Sequence, residues 1–184
     1  MSVRILALVG SLRAGSYNRQ LAETAAKLAP EGATVDIYED LGELPFYNED
    51  IDTEAGAPAS AVRLREAADA ADALLLITPE YNGTMPAALK NAIDWLSRPF
   101  GAGAIRGKSV AVIGTALGQY GGVWAHDDVR RSAGVAGGTV VEDVKLSIPG
   151  SANRFAETHP AADAEVSEQL GEVLGALVEH AGRN

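Results

Sequence analysis

The sequence predicts an α/β domain built on a parallel, doubly wound sheet, and three observations predict it. Apolar runs alternate with amphipathic segments along all 184 residues, the pattern of strand–helix repeats. The runs are continuous rather than every-other-residue apolar, as in strands buried on both faces. Three of them end in Gly-rich polar stretches, and ligands of open α/β sheets sit beyond the carboxyl ends of strands.

Each element can be justified in order. VRILALVG (3–10) is the first strand, and residues 18–29 form a helix. TVDIY (34–38) is the second strand. It is followed by a long Pro-, Gly- and acid-rich loop over 40–58. AVRLREAADAA (61–71) is a helix and ALLLITP (73–79) a buried strand. PAALKNAIDWLSR (86–98) is a helix with Pro86 near its first turn, where a missing N–H is harmless. KSVAVIGT (108–115) is the fourth strand, 122–134 a helix, TVVEDVKLSI (139–148) the last strand and 161–181 the closing helix. Five strands in this alternation suggest a flavodoxin-like sheet in the order 2-1-3-4-5, with helices on both faces. The loops after strands 1, 3 and 4 would then line one crevice.

Composition narrows the function. A length of 184 residues suits a single domain spanning 1–184, since single domains cluster at roughly 100–200 residues. With 47% hydrophobic and 22% charged residues the chain reads as soluble and globular, and its core needs no disulfide or metal. Absence of cysteine removes thiolate nucleophiles and Cys-based zinc sites. The net charge of −10 argues against nucleic acid as a partner. The N-terminal apolar run is too short for a signal peptide, and no run approaches the roughly 18 apolar residues of a membrane helix. A cytoplasmic protein without membrane contact is expected.

GSLRAGSYN (10–18) joins the first strand to the first helix. Gly10 and Gly15 have Walker A spacing, but Ser16-Tyr17 stands where Lys-Ser/Thr is required, so ATP or GTP hydrolysis is set aside. The dinucleotide fingerprint fails at Leu12, and the acid that would read a ribose, Asp36, lies mid-strand. A terminal monophosphate fits better. Helix N-terminal N–H groups attract a dianion, Ser11 and Ser16 can donate hydroxyls, Asn18 can cap or donate, and Arg13 can make a charge-assisted contact. Ser16 and Asn18 taken alone also suit a plain helix cap.

TPEYNGTMPAALKNAIDWLSRP (78–99) follows the third strand directly. Tyr81 offers a ring face or hydroxyl, Asn82 and the backbone can read a heterocycle's polar edge, and Gly83 permits close approach. Tyr81 would serve equally as a packing aromatic at a strand end.

Four stretches together resemble the NADPH-dependent FMN reductase family, the flavodoxin-like group that includes chromate, quinone and azo reductases. They are GSLRAGSYN (10–18), LPFYNEDI (44–51), PEYNGTMPAALKNAIDWLSRP (79–99) and GKSVAVIGTALGQYGG (107–122). The resemblance implies that Ser11, Arg13, Ser16 and Asn18, with Tyr17 beside them, surround the phosphate of FMN. It implies that Pro79, Glu80, Tyr81, Asn82 and Gly83 flank the isoalloxazine, and that Thr115 and the glycines near Gly118 approach it from the third loop. It also implies a homodimer or homotetramer. The helix after PEYN would contribute to the contact, with Trp95 and Leu96 serving there or in the core.

The implied activity is NAD(P)H-dependent: electrons pass from NADPH or NADH through FMN to a quinone, azo, metal or flavin acceptor in a ping-pong scheme. No side-chain catalyst is needed, because the cofactor carries the chemistry. A flavodoxin-like electron carrier and an FMN sensor are the alternatives. After Gly122 the chain carries VWAHDDVRR (123–131), which is less like the family. His126 there could face the flavin or a neighbouring subunit, but as a lone His on a helix it reads as a surface residue, and Asp127-Asp128 as a solvated face, too few ligands for a metal. His159 and His180 receive no role. The loop 40–58 and the segment 150–160 are expected to shape access for the acceptor.

Overall fold

The computed structural model describes residues 2–53 and 55–183; Met1, Glu54 and Asn184 lie outside them. Four long strands carry the sheet: β1 (Val3–Val9), β2 (Ala33–Ile37), β3 (Ala73–Ile77) and β4 (Ser109–Thr115). Two short ones follow, β5 (Thr139–Val140) and β6 (Leu146–Ile148). All pairings are parallel, and the order is β2-β1-β3-β4-β5 with β6 also on β4.

The helices are α1 (Tyr17–Lys27), α2 (Ala59–Asp69), α3 (Ala87–Leu96), α4 (Val123–Val135), the single turn α5 (Ser151–Arg154) and α6 (Ala164–Ala181). β3 and β4 are buried throughout, which is why their sequences are continuously apolar. Successive residues of a strand point to opposite faces, so each strand feeds two cores. Leu6, Leu8, Leu74, Leu76, Val110 and Val112 pack with Leu64 of α2, Leu89 of α3 and Val129 of α4. Ile5, Ala7, Leu75, Ile77, Ala111 and Ile113 pack with Leu21 of α1 and with Leu170 and Leu174 of α6.

One expected element is corrected. TVVEDVKLSI (139–148) is not one strand but β5 and β6, with 141–145 leaving the ladder. The outer chain takes six steps from Val140 to Leu146, where β4 takes three from Val110 to Ile113. Arg130 of α4 is the physical cause. Its buried guanidinium donates to the carbonyls of Val112 (3.1 Å), Val141 (3.3 Å) and Val144 (3.2 Å), which draws the outer chain out of register. Burial lowers the pKa of Arg130, opposed by the Glu142 carboxylate 3.8 Å away.

The acid-rich segment 40–58 is fastened along its length. Asp52 makes a bidentate pair with Arg65 at 2.7 and 2.8 Å, which holds its carboxyl below the usual range. Trp95 Nε1 donates to Pro45 O at 2.8 Å, and the Tyr47 N–H donates to Asn91 Oδ1 at 2.8 Å. Trp95 and Leu96 are 0% exposed, so both belong to the core and neither forms an outer contact surface.

Candidate functional site

Loops 10–16, 78–86 and 116–122 leave the carboxyl ends of the adjacent strands β1, β3 and β4. Backbone bonds tie those ends: Gly10 N–H donates to Ile77 O at 2.8 Å, and Thr78 N–H to Ile113 O at 2.9 Å. Gly114 marks the closest approach, since a Cβ there would fall 2.0 Å from the Thr78 carbonyl oxygen.

In the first loop, Ser16 is the N-cap of α1, yet its side chain makes no cap bond, and no acid sits in the helix's first turn. The helix start therefore keeps donors for an anion. Arg13 is exposed; among the described residues it donates to Ala14 O at 3.3 Å and lies 6.0 Å from the Tyr17 ring centroid. Ser11 is half-buried. The Tyr17 ring also lies 5.7 Å from that of Phe155.

Asn18 does not cap α1. It is buried, and its amide spans to the end of β4, donating to Thr115 O at 3.0 Å and accepting from Thr115 N–H at 2.9 Å. The Thr115 hydroxyl in turn donates to Ile148 O at 2.7 Å. Two residues expected beside a ligand thus fasten three elements together.

The second loop begins at buried Pro79 and makes a tight turn. Tyr81 and Thr84 exchange backbone bonds at 3.0 and 3.2 Å around Asn82 (φ 52°) and Gly83 (φ 77°). Two successive positive φ values are what an Asn-Gly pair supplies in a type I′ turn. Tyr81 remains 48% exposed. Glu80 points to α4: the Ala125 N–H donates to its carboxylate at 3.3 Å, filling one orphan position at that helix start. Asp128 is no free surface carboxylate either, since it accepts from the Thr84 hydroxyl at 2.6 Å and from Arg131 at 2.5 Å.

The third loop is braced by the segment 147–151, whose role the sequence did not reveal. Ser151 N–H donates to Ala116 O at 3.0 Å, Gly150 N–H to Gly118 O at 3.2 Å, and the Ser147 hydroxyl to Gly121 O at 3.0 Å. The consecutive Gly121 and Gly122, with φ 64° and 88°, were the available signal of an unusual helix entry. His126 is corrected from surface to interior. It is 4% exposed, its Nε2 has no hydrogen-bond partner among the described residues, and burial beside Arg130 pushes its pKa down to about 4. His159 caps a turn, its Nδ1 accepting from Ala161 N–H at 3.1 Å. Among the described residues no group of His, Asp or Glu is placed to hold a metal ion. No described helix is long and apolar enough to cross a membrane.

Comparison with known proteins bears on the family and the fold. Residues 3–153 match the family described as NADPH-dependent FMN reductase. The chain is 45% identical over 130 residues to a 2-hydroxy-1,4-benzoquinone reductase of a Burkholderia species, covering 71% of this chain and 69% of that one. It is 35% identical over 175 residues to an NAD(P)H-dependent FMN reductase of Pseudomonas aeruginosa, covering 95% and 93%. Among solved structures it superposes on FerB, a flavoenzyme NAD(P)H:(acceptor) oxidoreductase from Paracoccus denitrificans, with a TM-score of 0.87, 33% identity and 98% coverage of both chains.

Proposed function

Because the chain belongs to the NADPH-dependent FMN reductase family, we propose that it is an NAD(P)H-dependent oxidoreductase working as one domain through bound FMN. It passes electrons in ping-pong order to a quinone, azo, metal or flavin acceptor. FMN supplies the redox chemistry when bound; the chain supplies position and charge.

The observation that carries the reading is the start of α1. Its N-cap side chain is unbonded and its first turn holds no acid; the start of α3 shares both features, and that of α4 is already met by Glu80. Of these two open starts only the first loop adds an arginine, the exposed Arg13, to the hydroxyls of Ser11 and Ser16, so a phosphate dianion is directed there. The turn at Tyr81, Asn82 and Gly83 and the loop at Gly118 stand exposed on the neighbouring strands, at the place for the ring. In this reading Asn18 and Thr115 hold the crevice together rather than contact the phosphate, and Glu80 orients its rim.

Trp95 and Leu96 take the core alternative of the sequence reading, so the oligomer contact is proposed elsewhere. Phe100 and Val135, 90% and 86% exposed beside α3 and α4, take the place that Trp95 and Leu96 vacate, and cover one another's surfaces in a cytoplasmic homodimer or homotetramer.

The test is the visible spectrum of protein loaded with FMN and freed of excess, followed anaerobically with NADPH and NADH. Flavin bands that remain and bleach support the reductase. Retained bands that bleach with neither nucleotide indicate a carrier or sensor, and no retained flavin overturns the phosphate assignment. Arg13→Ala is expected to weaken FMN binding about tenfold while leaving the melting temperature unchanged.

A further inference from the structure

The rim of the crevice carries aromatic surface that phosphate and ring binding leave unused. Loop 116–122 exposes Leu117 (74%) and Tyr120 (57%), and the first turn of α4 exposes Trp124 (54%). The rings of Tyr120 and Trp124 lie 5.6 Å apart between centroids, inclined at 59°. Their backbone is fixed rather than loose. Gly118 and Gly121 are held by Gly150 and Ser147, and the residue after Trp124 is held by Glu80. The same Glu80 belongs to the turn that carries Tyr81, so the two loops form one rim.

The charge of that rim is one-sided. From residue 117 to 128 there is no Lys or Arg, whereas Asp127 stands exposed three residues beyond Trp124. Of the two arginines that follow on α4, Arg130 is turned into the core and the exposed Arg131 is paired with Asp128, which leaves the Asp127 charge uncompensated by them. Rigid exposed aromatics attract flat rings, each stacked pair being favourable beyond its buried area, and the carboxylate repels anions.

Resting on the reductase reading above, we propose that Tyr120 and Trp124 form the acceptor wall of the site, stacking planar uncharged aromatic acceptors and disfavouring anionic ones of the same shape. A quinone leaves as the hydroquinone after gaining two electrons and two protons, one hydride from the reduced cofactor and one proton from water. The aromatic pair orients the ring and exchanges neither.

The chain offers its own probe, since it contains two tryptophans and Trp95 is 0% exposed. Solvent-exposed emission therefore reports Trp124. FMN-loaded protein is titrated with an uncharged naphthoquinone and with its sulfonate. The uncharged ring is expected to quench saturably at about fivefold lower concentration, and Tyr120→Ala to raise that concentration about fivefold, with FMN retention unchanged. Dithionite-reduced protein should likewise lose about fivefold in its rate of reoxidation by low concentrations of the uncharged quinone in the same variant.

Equal saturation by both quinones, or no change in Tyr120→Ala, overturns the wall. So does a shift in oligomeric state on size exclusion, which would make the pair a subunit contact. If wild-type protein retains no FMN, the reductase reading falls on its own. The Trp124 titration of the cofactor-free chain then still decides whether the pair binds the ring.

Discussion

Asn18 and Thr115 are 97 residues apart and exchange two hydrogen bonds, the Asn18 side-chain amide pairing with the Thr115 backbone as another peptide group would. The contact joins the first turn of α1 to the last residue of β4. One buried side chain thus ties the helix that follows the first loop to the strand that precedes the third.

Asn18→Ala leaves a buried N–H and a buried carbonyl unpaired, each costing about 1–3 kcal/mol. A loss of about 2–4 kcal/mol is expected on denaturant unfolding, with weaker FMN retention. Asn18→Asp is the sharper variant. It keeps an acceptor for the Thr115 N–H but sets a carboxylate oxygen against the Thr115 carbonyl, so it should rescue little of the loss. Full rescue by Asp would show that the donor half of the pair is idle.

Glu80 is expected to act on stability through α4. Glu80→Ala removes its acceptor for the Ala125 N–H, and losing such a cap costs about 0.5–2 kcal/mol. Glu80→Gln retains the acceptor oxygen and gives up only the charge's attraction to the helix start, about 0.3–1 kcal/mol. The urea midpoints should therefore order as wild type, Gln, Ala. Equal midpoints for all three would mean that the 3.3 Å contact contributes nothing.

The fold was legible because its signals are local. Continuous apolar runs such as ALLLI mark doubly buried strands, and β3 and β4 lie where those runs placed them. The broken outer strand was not legible, because the residue that breaks it, Arg130, comes from a helix and acts across space. His126 illustrates the same limit: its neighbours Gly114 and Gly122 are brought to it by β4 and by the entry to α4. Around the crevice, the hydrogen-bond partners of the singled-out residues were not readable. Asn18 and Glu80 have the chemistry of ligand-binding groups and spend it on the protein itself.

Arg130 offers a prediction about the sheet edge. Arg130→Met keeps the apolar stem but strands three carbonyl oxygens, and the expected loss is about 2–4 kcal/mol. Because Val141 and Val144 lie in the break between β5 and β6, amide exchange should rise first in 139–148 and leave β1 and β3 protected. Uniform acceleration across the sheet would show that Arg130 stabilises the fold as a whole and not its edge.

His126 yields the pH dependence. Its folded pKa is about 4 against an ordinary 6.5, with desolvation the larger cause and the charge of Arg130 the second. Facing it are the Thr78–Gly114 backbone crossing and Gly122, with Glu80 adjoining and Asp127 beside it on α4. Above pH 6.5 the imidazole is neutral in both states and stability is full. As pH falls from 6.5 toward 4 the unfolded chain takes up the proton first, so stability is lost through that window. At pH 4.5 the deficit should reach about 2–3 kcal/mol. Paired carboxylates such as Asp52 and Asp163, held below their usual range, add their own losses at lower pH. His126→Leu removes the titrating group and the unpartnered Nε2 together, and should flatten the stability profile between pH 6.5 and 4.5. Urea unfolding of both proteins at those two pH values decides it, because an unchanged slope in the variant would assign the pH dependence to another group.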